Sequence, residues 1–589
     1  MTLLTPTITP SAAERQIPSR KDAVIFRAKT LLLQIRRTFS NVFIGRLHRF
    51  SVAGEFLSDD VIGSSVTPLW TEADPREQFL LAGKVHNLRL AIRRLNGIEV
   101  PAGEIFSFWR QVGRTSRLKG YVAGRELREG CVIPSIGGGL CQISNALYDA
   151  ALQANFEIIE RHAHTRVIPG SLAEDGRDAT VFWNYVDLRF RSNEGFRVEA
   201  AIDASDLKVT FRGRRSKLPV MHQIRRRSDP SPSPNSCATC ETGDCHRVVE
   251  PSPKAERFGR AAFIVDEFGP EFDEFIAAER TEADILIAPM DGVRFKKANY
   301  AWSKAGFGNY RQNLLTTLRR SYSSRKLAVQ GSKRQMNLLK MYAEMAESSA
   351  AKIKYDTLHL VVQQELLPHL MQSGELGGRT FDVLMTALPM NEIQKRLDRA
   401  AGLHPNSRTL ADFRADPEVV AAESRALEQA NRIITPHSDI AALFPEKAVL
   451  LPWKIPAAKP HRPNEKPLIV FPASTLGRKG CYELRQAMSG LDAELIILGG
   501  EIEAPDFWSG LSAAKGTPED ICRAWAVVLP AFVEHKPRRL LMAAAAGVPV
   551  IASKACGLSQ VDGVVEIEAG DVAALRTAIE AVLEHQKIF

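Results

Sequence analysis

Between residues 79 and 95, Leu80, Leu81, Val85, Leu88 and Ile92 recur at the spacing of one helical face, which predicts an amphipathic helix. Ile143, Leu147, Ala150, Ala151 and Ala154 repeat that spacing over 141–155. The period then changes. Residues 179–192 and 196–202 alternate and are rich in Val, Phe, Trp and Tyr, predicting two strands with an Asn-Glu-Gly turn at 193–195. From about residue 462, short apolar runs (PLIVFPA, AELIILGG, RAWAVVLPAF, VPVIAS) predict strands. They alternate with helical runs (KGCYELRQAMSGL, RRLLMAAAAG, DVAALRTAIEAVLEH), and Gly547 ends the second of these. Strands and helices in alternation predict a parallel sheet covered on both faces, with ligands bound beyond the carboxyl ends of its strands.

Two stretches interrupt the patterning. Residues 225–255 alternate Pro and Ser around a cysteine cluster, and 453–467 form a weaker, Pro-rich break. The expected organisation is a basic amphipathic segment (1–50), an α+β module (51–220), a linker (221–255) and two further domains (256–455 and 456–589). The chain has 589 residues, 45% of them apolar and 25% charged, which excludes a wholly disordered protein. Apolar runs stay well short of the roughly 18 residues that a bilayer span requires. The opening MTLLTPTITPSAAERQ lacks the pattern of a secretory signal, so a cytoplasmic location is expected.

The net charge of +9 is modest but uneven. Nine basic residues and two acids lie between Glu14 and Phe50, interleaved with apolar residues from Val24 to Ile44. One reading docks the apolar side of this segment on its own domain and leaves the arginines in water. The other lays the segment on an anionic membrane surface, giving a peripheral contact at the inner face. No nucleic-acid partner is expected, because basic residues and aromatics form no groove pattern.

The sharpest chemical feature is Gly137-Gly138-Gly139-Leu140-Cys141-Gln142, leading into the helix at 141–155. A cysteine at a helix N-terminus sits at the positive end of the dipole, which favours the thiolate. His162 and His164 are two apart and share a face if extended, and Asp178 and Asp187 follow. Cys141, one of the histidines and Asp178 would make a nucleophile, a base and an orienting acid. The competing reading makes Cys141 a small buried residue and the histidines structural. Further on, Cys237, Cys240, Cys245 and His246 place four soft ligands within ten residues. That set suits zinc or an iron–sulfur cluster, against the reading of incidental thiols in a linker.

These segments carry resemblances. Residues 84–130, IGGGLCQISNALYDAAL (136–152), IIERHAHT (158–165) and DATVFWNYVDLRF (178–190) resemble the VanW family over about 30–215. That family is named for accessory proteins of glycopeptide resistance, so the resemblance implies a cell-envelope context without a defined reaction. It places Cys141, Gln142, His162, His164 and Asp178 on the motif.

Residues 430–453, 474–488 and 529–561 resemble the group 1, family 4-like glycosyltransferases of the GT-B fold, over about 255–585. This implies two Rossmann-like domains and a nucleotide-sugar donor as substrate. Lys479 falls at the family's diphosphate lysine and Glu534 at the first of its paired glutamates. The second glutamate is replaced by Met542, and the arginine expected five residues before Lys479 is Ser474, although Arg478 adjoins the lysine.

The expected fold is therefore an α/β and α+β multidomain chain, with a VanW-like α+β module ahead of two Rossmann-like parallel-sheet domains. The expected function is transfer of a sugar to an envelope glycan or lipid-linked precursor, with Arg478 and Lys479 on the diphosphate and Glu534 on the sugar. The alternative is a thiol-dependent hydrolase or acyl transferase centred on Cys141, with the rear block binding glycan or nucleotide without turnover. A non-catalytic scaffold at a membrane face is the third reading.

Overall fold

The computed structural model describes residues 20–43, 47–52, 60–71, 75–128, 131–164, 167, 171–215, 235–237, 259–326, 332–412, 414–500 and 503–586. The chain divides into two compact units, Met1–Phe258 and Gly259–Phe589.

The front unit is built on a four-stranded antiparallel sheet in the spatial order Val61–Pro68, Asp206–Gly213, Phe196–Ile202, Ile98–Val100. The helices Pro75–Leu95 and Cys141–Gln153 cover one face of it. Two small sheets flank this layer. One pairs Ala123–Arg128 with Cys131–Ile136, and the other joins Ile105–Ser107, Arg189–Arg191 and Glu157–Glu160.

Alternation along these strands sends Phe190, Phe196 and Phe211 inward, where they gather around Phe156. Helix and sheet come close because Gly63 has no side chain, since a Cβ there would sit 2.2 Å from Ala150 O. The glycine run works in the same way. A Cβ on Gly138 would lie 2.5 Å from Gly124 O, so the turn before Cys141 presses directly on the neighbouring strand.

The long strand expected over 179–192 is not continuous. Phe182 and Val186 exchange backbone hydrogen bonds of 2.9 and 3.1 Å around a tight turn. Asn184 takes φ +59° there, a conformation that asparagine tolerates better than most residues. Regular pairing resumes only at Arg189–Arg191.

The rear unit holds two wholly parallel sheets. The first runs Asn309–Gln312, Ile285–Ala288, Ala261–Ile264, His359–Gln363, Thr380–Leu384, Arg432–Thr435, Ala448–Leu450. The second runs Ala513–Lys515, Glu494–Ile497, Leu468–Phe471, Ala526–Leu529, Val550–Ser553, Val564–Ile567. Numbered along the chain, both begin in the order 3-2-1-4-5-6, the Rossmann arrangement. The expected fold class is thus present, and in the second sheet the strands Leu468–Phe471, Ala526–Leu529 and Val550–Ser553 are buried along their whole length, as strands covered on both faces must be. Leu397, Ala400 and Leu410 from the first half pack with Phe532 and Val533 from the second.

Phe156 is 1% exposed at the centre of the aromatic cluster. Phe156→Ala is expected to destabilise the front unit by about 3–5 kcal/mol. Calorimetry should show that unit's unfolding transition at a lower temperature, with the rear unit's transition unmoved.

Candidate active site

Cys141 is the first residue of its helix and is half-buried. The two preceding positive-φ glycines, Gly137 and Gly139, turn the backbone so sharply that the helix begins at the wall of the front unit's core. The Cys141 Sγ lies 3.7 Å from Thr180 Oγ1 and 3.8 Å from Val181 O, and it shares a hydrogen bond with the His164 imidazole. His164 Nδ1 lies 2.7 Å from Asp178 Oδ2, leaving Nε2 as the nitrogen for the thiol.

Asp178 is fully buried. Its Oδ2 also accepts the His164 backbone N–H at 2.6 Å, and its Oδ1 accepts Arg161 at 2.8 Å. The segment carrying it is pinned to the helix of Cys141, because Ser144 Oγ donates to Ala179 O at 2.6 Å and Ala179 N donates to Asn145 at 2.8 Å. Helical spacing puts Ser144 and Asn145 on the Cys141 side, three and four residues on, so CQISN already contained this signal. The roles of Thr180, Val181 and Arg161 had no such signature.

The electrostatics follow from this geometry. Burial raises the Cys141 thiol, but the His164 hydrogen bond and charge outweigh it and bring the thiol below its ordinary value. Burial opposes the His164 cation, yet Asp178 and Cys141 lift it to about 10. Burial likewise works against the Asp178 carboxylate, and His164 and Arg161 together keep it below the usual carboxylate range. The hydrogen bond and charge of His164 thus favour the thiolate–imidazolium form of the pair, oriented by the Asp178 carboxylate, an arrangement suited to nucleophilic attack on a carbonyl.

The remaining residues singled out in the front sequence sit elsewhere. His162 is half-exposed, with Nε2 3.4 Å from Glu160 Oε1, and its carbonyl accepts Thr180 N at 2.8 Å. Gln142 donates to Thr67 Oγ1 at 2.9 Å and Pro68 O at 2.8 Å. Asp187 accepts Ser107 Oγ at 2.6 Å and Trp109 N at 3.1 Å, which is a structural tie. Cys237 donates its backbone N–H to Val132 O at 2.8 Å, while Cys240, Cys245 and His246 lie outside the described residues. Among the described residues no group of three His, Cys, Asp or Glu is placed to hold a metal.

In the rear unit, a cavity of about 350 Å³ opens beyond the carboxyl ends of Leu468–Phe471 and Ala526–Leu529. These two strands flank the point where the order of the second sheet reverses, the usual ligand position in such sheets. Ser474, Arg478, Lys479, Glu534, Arg538 and Arg539 line it. Lys479 Nζ donates to Glu534 Oε2 at 2.9 Å and to Val533 O at 3.0 Å. Burial raises the Glu534 carboxyl, but Lys479 draws it down to about 2. Burial pulls the Arg478 guanidinium down to about 10. Arg539 donates to Pro472 O at 2.7 Å, and Arg538 forms a bidentate pair with Glu271 of the first half. Met542 packs against the apolar core of the second half.

Residues 83–212 match the family model described as VanW like protein, and the front unit contains a VanW-like domain. Over 107 residues the chain is 37% identical to the uncharacterized protein YoaR of Bacillus subtilis, covering 18% of this chain and 35% of that one. Over 129 residues it is 33% identical to the vancomycin B-type resistance protein VanW of Enterococcus faecalis, covering 21% and 47% respectively. The chain thus spans less than half the length of either relative. Among solved structures it is similar to sucrose-phosphate synthase from Thermosynechococcus elongatus, at 14% identity and TM-score 0.35, over 55% of this chain and 90% of that one. It is also similar to Anabaena HepE in complex with UDP and glucose, at 11% identity and TM-score 0.35, over 56% and 91%.

Alkylation of Cys141 by iodoacetamide, followed by mass spectrometry, reads the thiolate directly. Its rate should hold its plateau to a pH below the ordinary thiol value of about 8.5 and fall only under the depressed pKa. In His164→Ala burial is opposed only by the contacts with Thr180 and Val181, so the inflection should move upward. An inflection unmoved by the substitution would separate the thiol from the imidazole.

Proposed function

We propose that the front unit is a thiol-dependent acyl-transfer or hydrolysis centre acting on an ester or amide carbonyl of a cell-envelope precursor. The hydrogen-bonded chain Cys141–His164–Asp178 carries this reading. The Cys141 thiolate attacks the carbonyl carbon and forms a tetrahedral oxyanion beside the positive end of its helix. The His164 imidazolium gives its proton to the departing oxygen or nitrogen, leaving a thioester on Cys141. His164, now neutral, takes a proton from water or an acceptor amine as that group attacks the thioester. Collapse releases the acyl product and restores the thiolate and imidazolium. Asp178 stays ionised throughout as the positioning residue. Similarity to a vancomycin resistance protein supports an envelope substrate.

A second activity is favoured by one observation in the rear unit, the cation-lined cavity at the strand-order reversal. In this reading the rear unit is a GT-B glycosyltransferase of hexosyl type. Lys479 and Arg478 face the diphosphate of a nucleotide sugar, Glu534 faces the sugar, and the acceptor is an envelope glycan or lipid-linked precursor. Met542 offers no carboxylate to a ribose and Ser474 no charge to the leaving group, so donor binding rests on fewer contacts than the family pattern supplies.

Each reading has its own test. Incubation with 4-nitrophenyl acetate should acetylate Cys141, seen as a mass gain on its peptide. Cys141→Ala should abolish that gain and His164→Ala slow it by about 10²-fold or more. Equal acetylation of His164→Ala would remove the base from the reading. For the rear unit, calorimetric titration with UDP, GDP, ADP and their sugar conjugates should give micromolar binding of one nucleotide, lost in Lys479→Ala. Heat from none of them would leave the cavity without a donor role.

A further inference from the structure

The N-terminal helix Arg20–Phe43 sits on the front unit by its polar side, not by the apolar side that one of the two sequence readings docks on the domain. Its contacts with that unit are mostly polar. Gln34 Nε2 donates to Trp183 O at 3.1 Å, and Asn184 Nδ2 donates to Gln34 O at 3.1 Å and Thr38 Oγ1 at 2.8 Å. Arg37 pairs with Glu160, and Arg189 donates to Asn41 Oδ1 at 2.9 Å. Phe26 adds ring contacts, edge-on to Phe182 at 6.3 Å and with the Arg128 guanidinium 5.0 Å from its centroid. At 100° per residue, Phe26, Thr30, Gln34, Arg37 and Asn41 share one stripe, and it is the stripe that faces the domain.

The apolar side is turned outward. Val24 is 64% exposed, Leu32 67% and Phe39 61%, and Ile25, Leu31 and Ile35 are exposed beside them. These side chains spread over about 120° of the helix circumference, wider than the two-position seam of a coiled coil. Exposed Lys29 and Arg36 run along one border, and exposed Lys21 stands near the amino end. The helix sequence holds six basic residues and one acid, Asp22. The polar contacts of the domain therefore clamp the helix, and among the described residues its wide apolar face, with cations along one border, stays exposed. No described helix is long and apolar enough to cross a membrane.

We propose that Arg20–Phe43 is an in-plane anchor that lies on an anionic lipid bilayer, with Val24, Leu31, Leu32, Ile35 and Phe39 entering the acyl boundary and Lys29 and Arg36 at the headgroup phosphates. The charge selects this occupant over a second copy of the chain. Two such helices would bring like-charged borders together, whereas a layer of phosphates neutralises them. The helix is about 36 Å long, and the clamp through Glu160, Trp183 and Asn184 fixes the front unit to it, so the bilayer would hold the whole unit rather than a tether. This inference is independent of the thiol and sugar-transfer readings.

The test is co-sedimentation of the full-length protein with vesicles of phosphatidylcholine alone and of phosphatidylcholine with 30% phosphatidylglycerol. Binding to the anionic vesicles should exceed binding to the neutral ones by about tenfold or more at low salt and weaken in 0.5 M NaCl. Leu31→Glu with Leu32→Glu, and separately Lys29→Glu with Arg36→Glu, should each lower anionic binding about tenfold or more. Their far-UV spectra should match the parent's, since all four side chains are exposed. No binding to either vesicle, equal binding to both, or unchanged binding by both variants would overturn the proposal. So would vesicle-independent dimerisation that Leu31→Glu with Leu32→Glu abolishes, which would assign the face to a second copy.

Discussion

A carboxylate removed from water stays ionised only if donors replace the solvent, and the front unit is organised around meeting that demand at Asp178. Two N–H groups and a guanidinium answer it: the His164 ring and backbone converge on one oxygen, and Arg161 takes the other. Satisfying the acid fixes the ring plane of His164, and the fixed ring decides which nitrogen meets Cys141. The same demand explains the tie from Ser144 and Asn145 to residue 179, since a mobile Asp178 segment would leave a charge buried without partners. The thiol's lowered pKa is thus a consequence of how the acid is held. The helix N-terminus adds to it but does not set it.

Much of this arrangement was legible in the chain. The glycine run, the helical spacing after Cys141 and the strict alternation at 196–202 are local signals, and local signals survive folding. The choice between His162 and His164 was not legible. Residues two apart share a face only if the backbone stays extended and regular, and here His162 meets Glu160 while His164 meets Asp178. The break at 182–186 was hidden for a related reason. FWNYV has the composition of a strand, and only the left-handed Asn184 and its bonds to the distant helix at Gln34 and Thr38 reverse the chain there. The orientation of that helix was hidden as well, because an apolar stripe indicates that something must cover it without saying what.

In the rear unit, apolar strand runs spelled out the second sheet plainly and the first sheet poorly. Strands such as Asn309–Gln312 and His359–Gln363 begin or end in polar residues, and insertions that include two long helices separate them. Strand order, which a sequence does not display, is what locates the cavity. Reversal between Leu468–Phe471 and Ala526–Leu529 parts the loops that follow them, and Lys479 and Glu534 lie on those two loops.

The two sites differ in how their charge is balanced, and that difference bears on what each can do unaided. Around Cys141 the thiolate–imidazolium form, the Asp178 carboxylate and the Arg161 guanidinium sum to zero, so the charges are balanced within the cluster itself. The rear cavity is lined by Arg478, Lys479, Lys536, Arg538 and Arg539 against Glu534. Glu267 and Glu271 of the first half balance Lys536 and Arg538, and Glu534 balances Lys479. Arg539 is met there by carbonyl oxygens, which orient a guanidinium without cancelling it. Partly desolvated positive charge of this kind is relieved by an anion, and an anion competing for Arg538 or Lys536 would loosen their hold on Glu271 and Glu267. The pairs Lys536–Glu267 and Arg538–Glu271 thus join the two parallel-sheet halves at the rim of the cavity, whereas the charges around Cys141 are balanced within the front unit.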